Sequence, residues 1–253
     1  MGSLTDDHRR WFKRFGQRDT GRIRLLCFHC AGGNAMMFRD WHRLLTWSIE
    51  PVGVQLPGRL DRFSETPYDS MDALVQTLAE VVKPFLDQPF ACYGASMGAR
   101  VAWRLAHILR DREMPMPRAI FVASNVAPTV ATSGQEWNQP DERLAEYLRE
   151  LGGTPPEILD DAELRPRLLS VLRADLTVLA TDTFRPGSPL DIPMRAFAGG
   201  EDAESPPEHM SAWRDETRAS FGMDIVPGGH FFSAAGQRQV LAAVSSDLGD
   251  TDA

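Results

Sequence analysis

A chain of 253 residues with 43% apolar side chains is long enough to bury the core of one large α/β domain. Its formal charge of −8 argues against nucleic acid as a partner, because phosphate binding needs a basic face. Three cysteines point to a reduced, cytoplasmic compartment and not to a disulfide framework, and no apolar run is long enough to span a membrane.

In chain order, residues 22–29 read as a buried strand that runs into the loop Phe28-His-Cys-Ala-Gly-Gly-Asn34. Cys27 and Cys30 have C-x-x-C spacing, but no second Cys/His pair follows, so no metal or redox site is expected there. Residues 51–56 form the next strand pattern, followed by a helical stretch over 71–86 and a short apolar strand at 90–93. Gly94-Ala-Ser-Met-Gly98 comes next and opens the helical stretch 96–110. A G-x-S-x-G pentapeptide between strand and helix is a nucleophile elbow, in which small flanking residues let the two elements approach while the serine sits on a sharp turn. Ser96 is therefore the candidate nucleophile.

A further strand is expected at 119–124, after which the alternation breaks. Between residues 127 and 190 there is no strand pattern, only helical patterns at 141–151 and 162–182 punctuated by Gly and Pro. Such an insertion reads as a helical lid, with residues 1–126 and 191–253 forming the core. Strand patterns resume at 193–198 and 223–226, with helices at about 208–220 and 237–248. Strand, crossover helix and strand repeated in this way imply a mostly parallel sheet flanked by helices.

The elbow requires Ser, then Asp or Glu, then His in chain order. Of the three histidines after Ser96, His107 lies on the elbow helix and His209 starts an outer helix, so both should point away from the carboxyl edge of the sheet. His230 follows the last strand in Val226-Pro-Gly-Gly-His-Phe-Phe232 and is the candidate base. The loop after strand 193–198 reads Gly199-Gly-Glu-Asp-Ala-Glu204, which makes Asp202 the candidate acid and Glu201 the alternative. Asp175, Asp182 and Asp191 fall in or beside the insertion and read as solvated or structural charges. Oxyanion donors are expected from the backbone N–H of Met97 and from the loop after the first strand. There Ala31 is the choice, with Cys30 or Gly32 one step either way and His29 a packing residue.

With these residues in place the chain resembles the type II thioesterases, freestanding enzymes that accompany polyketide synthases and nonribosomal peptide synthetases. The resemblance runs from about Arg24 to Leu248. It rests on Cys27-Phe-His-Cys-Ala-Gly-Gly33, Gln55-Leu-Pro-Gly-Arg59, Gly94-Ala-Ser-Met-Gly-Ala99, Leu151-Gly-Gly-Thr-Pro155, Leu172-Arg-Ala-Asp175, Gly199-Gly-Glu-Asp202 and Gly229-His-Phe-Phe232. It implies an α/β-hydrolase fold with a helical lid and a triad of Ser96, His230 and Asp202, with the amides of Ala31 and Met97 as the oxyanion hole. The implied substrates are acyl thioesters on the phosphopantetheine arm of acyl or peptidyl carrier proteins, and no metal or cofactor is implied. A small-ester carboxylesterase and a product-releasing thioesterase share the triad and are the alternatives. The chain departs from the family pattern at His29-Cys30, at Ala95 and at Ser124-Asn-Val126, so acyl preference is not carried over. Arg59 and Arg62, or Arg100 and Arg104, are candidates to attract an acidic carrier, or else belong to solvated charged faces.

Overall fold

The computed structural model describes residues 6–16, 23–130, 136–184 and 187–249. Its strands are β1 (Phe12–Arg14), β2 (Ile23–Phe28), β3 (Ile49–Val54), β4 (Phe90–Ala95), β5 (Ile120–Ala123), β6 (Met194–Gly199) and β7 (Phe221–Val226). They form one sheet in the order β1-β3-β2-β4-β5-β6-β7, parallel except for β1, which pairs antiparallel with β3. The edge strand β1 and the short helix α1 (Asp6–Trp11) before it have no counterpart among the expected elements, because three residues carry too little periodicity to register.

Side chains alternate across the sheet. In β2, Leu26 and Phe28 join one apolar cluster, while Ile23, Leu25 and Cys27 join the other. The first cluster packs under α2 (Met71–Val81) and α3 (Met97–Asp111), and the second under α8 (Ala234–Gly249) and the loops after β2. The expected helix 71–86 stops at Val81 and continues as a 3-10 turn, Lys83–Phe85, around Pro84, which has no N–H to donate. The expected helix 208–220 is also shorter: α7 (Pro207–Met210) passes into a 3-10 helix, Ser211–Glu216. Here the fully buried Trp213 donates its Nε1–H to the Asn125 carbonyl at 2.6 Å, and Thr217 bridges to Leu190 beside the sheet.

Between β5 and β6 the described residues are helical: α4 (Asp141–Leu151), α5 (Pro156–Asp160) and α6 (Leu164–Ala180). These helices have a small apolar core of their own around Leu144, Leu148, Leu159, Leu169 and Leu172. The strand order decides where a site can form. The chain moves from β2 outward to β3 and then returns to β4 on the other side of β2, so the loops after β2 and β4 diverge and leave a crevice at the carboxyl edge. Register brings the ends into line, with Phe28 beside Gly94, Ala95 beside Ala123, and Gly199 beside Val226.

Candidate active site

Ser96 follows β4 at φ 50°, ψ −119°, the strained conformation of an elbow, and its N–H donates to the Ala123 carbonyl at 2.8 Å. Only glycine fits on either side. A Cβ at Gly94 would lie 2.2 Å from the Gly98 carbonyl oxygen, and one at Gly98 would lie 2.1 Å from that of Phe28. The helix therefore crosses the end of β2 at close range.

His230, in the loop after β7, places Nε2 3.0 Å from Ser96 Oγ and Nδ1 3.1 Å from Asp202 Oδ2. A carboxylate only accepts, so Nδ1 carries the hydrogen and Nε2 is free to accept from the serine hydroxyl. Asp202, after β6, also takes the N–H groups of Glu204 at 2.9 Å and Ser205 at 3.1 Å on Oδ1. Burial opposes its charge, but His230 and these amides together hold the carboxyl below the ordinary aspartate range. Asp202, and not Glu201, is the carboxylate that meets His230. Ser124, at the end of β5, donates its Oγ–H to the His230 carbonyl at 2.8 Å and pins the histidine loop. In the sequence Ser124 stands out only as a departure from the family pattern; the two residues are 106 positions apart, and no local signal links them.

On the loop after β2 the three consecutive amides divide. Gly32 N–H donates to Asp175 Oδ2 at 2.8 Å and Gly33 N–H to the Cys30 carbonyl at 3.0 Å, so neither is free for a ligand. The Ala31 N–H meets no acceptor among the described residues. Ser96, Ala31 and His230 line a cavity of about 430 Å³. Leu148 and Leu151 of α4 and Leu172, Leu176 and Leu179 of α6 supply apolar wall. His209, expected to point away from the sheet edge, lines this cavity as well, because the turn after the Asp202 loop folds back over the site. His107 is fully buried against Trp103, with ring centroids 4.5 Å apart.

Residues 23–248 match the thioesterase domain family model. The chain belongs to the thioesterase family. It is 35% identical over 240 residues to the gramicidin S biosynthesis protein GrsT of Aneurinibacillus migulanus, covering 94% of each chain. Among solved structures it resembles RedJ, a thioesterase of the prodiginine pathway in Streptomyces coelicolor, with a TM-score of 0.85, 35% identity and coverage of 91% and 87%. It also resembles BorB, a type II thioesterase of the borrelidin biosynthetic cluster, with a TM-score of 0.85, 30% identity and coverage of 94% and 97%. The thioesterase is accordingly an enzyme of the type II group with the α/β-hydrolase fold.

One expectation for the thioesterase changes once the side chains are placed. Arg59, Arg62, Arg100 and Arg104 neither form a solvated face nor await an acidic carrier. Arg59 forks onto Asp175 at 2.7 and 2.8 Å, with both side chains buried. Arg62 pairs with Glu65 and stacks on Trp11, while Arg100 and Arg104 enclose Asp182. Asp175 and Asp182 are thus structural and not solvated. Cys27 and Cys30 are both free and buried, and burial pushes the Cys30 thiol up to about 12, so it stays protonated at the cavity wall. Burial likewise pushes His29 down to about 4, which keeps it neutral, with Nδ1–H donating to the Cys30 carbonyl at 2.8 Å.

Proposed function

We propose that the thioesterase hydrolyses acyl thioesters carried on the phosphopantetheine arm of acyl or peptidyl carrier proteins in polyketide or nonribosomal peptide biosynthesis, clearing aberrant acyl groups. The observation that carries this reading is the hydrogen-bonded chain Ser96–His230–Asp202 at the base of a leucine-walled cavity. In this reading Ser96 Oγ attacks the thioester carbonyl as His230 Nε2 takes its proton, and Asp202 stabilises the imidazolium that forms. The amides of Ala31 and Met97 receive the oxyanion, each donor being worth on the order of 3 kcal/mol in the transition state. Collapse expels the pantetheine thiol, to which His230 returns the proton. Water then attacks the acyl-serine with His230 again as base, releasing the carboxylic acid and restoring Ser96.

Proton transfer and oxyanion stabilisation account for every step, so the reading calls for no metal or organic cofactor of the protein's own. Phosphopantetheine enters as part of the substrate. Residues 127–190 act as a lid over residues 1–126 and 191–253, and the leucines of α4 and α6 hold the acyl chain away from water. The enzyme works in the cytoplasm with carrier proteins as its partners. Buried free thiols fit a reducing compartment, and no helix among the described residues is long and apolar enough to cross a membrane.

The test is turnover of a panel of acyl groups loaded on a carrier protein, beside matched oxygen esters and the Ser96→Ala variant. Preferential thioester cleavage that Ser96→Ala abolishes is expected. Equal hydrolysis by Ser96→Ala would remove the triad, and faster oxygen-ester cleavage would favour a carboxylesterase.

A further inference from the structure

We propose that the buried Arg59–Asp175 pair is a positioning device that sets the oxyanion loop from the helix roofing the pocket. The proposal rests on the oxyanion role of Ala31 given above. Asp175 uses both carboxylate oxygens on Arg59, whose Nη1 and Nη2 approach at 2.7 and 2.8 Å, and Oδ2 also accepts the Gly32 N–H at 2.8 Å. Arg59 in turn donates Nη1 to the Gly33 carbonyl at 3.2 Å and Nε to the Pro57 carbonyl at 3.1 Å. Gln55 Oε1 takes the Ala35 N–H at 3.0 Å, so residues 55–59 and Asp175 together grip the loop at three successive points.

Two consequences follow for the neighbouring Ala31 amide. The Ala31 N–H shares its peptide plane with the Cys30 carbonyl, which accepts the Gly33 N–H at 3.0 Å and His29 Nδ1–H at 2.8 Å, and the charged acceptor on Gly32 N–H fixes the next plane, so φ and ψ of Ala31 are bounded from both sides. Gly32 sits at φ 69°, a conformation that an L side chain resists, with Leu168 and Leu172 of α6 packed against it. The bond also removes Gly32 from competition as a donor and leaves the oxyanion to Ala31. Because Asp175 belongs to α6 and Gly32 to the core, the loop holds this shape only while α6 is docked.

A full carboxylate and guanidinium are an expensive way to hold a loop if stability is the only return. Buried pairs of this kind are often replaceable by apolar residues of similar volume without loss of stability. The test is therefore the double variant Arg59→Met/Asp175→Leu, which keeps volume and leaves no buried charge unpaired. Four quantities are measured: melting temperature, kcat, KM and affinity for an alkyl boronic acid, whose tetrahedral serine adduct places an oxygen on the oxyanion amides.

The expected result is a folded protein with kcat lowered about tenfold to a hundredfold, boronate affinity lowered in parallel, and KM within about twofold of wild type. A purely structural role would move the melting temperature without this split. If the double variant does not fold, the isosteric Asp175→Asn answers the same question, since it weakens the charge-assisted bond to Gly32. It should shift the Gly32 amide proton resonance and lower kcat more than it raises KM. Wild-type kcat and boronate affinity in a folded variant, or an effect confined to KM, would overturn the proposal. Wild-type enzyme that left carrier-bound thioesters intact would instead fail the functional reading beneath it, and the proposal with it.

Discussion

Gly98→Ala is the sharpest perturbation of the elbow. A methyl at residue 98 would stand 2.1 Å from the Phe28 carbonyl oxygen, 2.6 Å from its carbon and 2.9 Å from the His29 oxygen. Carbon and carbonyl oxygen ordinarily approach no closer than about 3.3 Å, so α3 and the end of β2 must separate by about 1 Å. All three obstacles are backbone, so no side chain can swing aside. Overpacking of this kind costs about 3 kcal/mol, and for a chain of this size that lowers the melting temperature by about 9 °C.

In the proposed mechanism the same displacement parts the Met97 amide from the Ala31 amide, and a misplacement of about 1 Å at a reacting centre costs on the order of a hundredfold in kcat. Thermal unfolding and carrier-thioester turnover measure the two effects separately. Gly249→Ala is the control, since a Cβ there meets nothing within 4 Å. A Gly98→Ala enzyme within about 2 °C and twofold of wild type would refute the packing argument and the placement of Met97 that rests on it.

Three further outcomes are expected. In the proposed triad Asp202→Asn keeps the shape but cannot hold the tautomer or stabilise the imidazolium, so kcat should fall on the order of ten-thousandfold with KM little changed; a loss below about tenfold would deny Asp202 its role beside His230. Asp182→Ala strips the carboxylate that Arg100 and Arg104 enclose, and urea titration should report about 3 kcal/mol less stability. A loss under about 1 kcal/mol there would mean that the pair behaves as a surface ion pair. His29 is buried with a pKa of about 4 against 6.5 when exposed, so between those values the unfolded chain binds a proton that the folded chain refuses. Stability should therefore fall on acidification from pH 6.5 toward 4, by about 3 kcal/mol from this residue in full. Comparing unfolding at pH 7 and pH 5 in wild type and His29→Gln isolates that contribution, and equal pH dependence in the two proteins would exclude it.

Features decided by a few adjacent residues are legible in the amino-acid sequence itself. The elbow needs small residues within one pentapeptide, and the order Ser96, Asp202, His230 needs only that each follow a strand. The helical character of α4 and α6 is carried by apolar spacing within a single segment. Strand β1 is not legible, because a three-residue edge strand has no pattern of its own and exists only by pairing with β3.

The arginines escape a sequence reading for a related reason. Charge by itself implies solvent, and nothing near residue 59 indicates that a carboxylate 116 positions later will be folded against it. Local chemistry is set by neighbours in the chain and so is written in order along it. Which amide of the β2 loop is left free, and which charges are taken from water, depends on the surfaces that folding apposes. For the Gly32 amide and the Arg59–Asp175 pair, the packing of α6 across the carboxyl edge decides it.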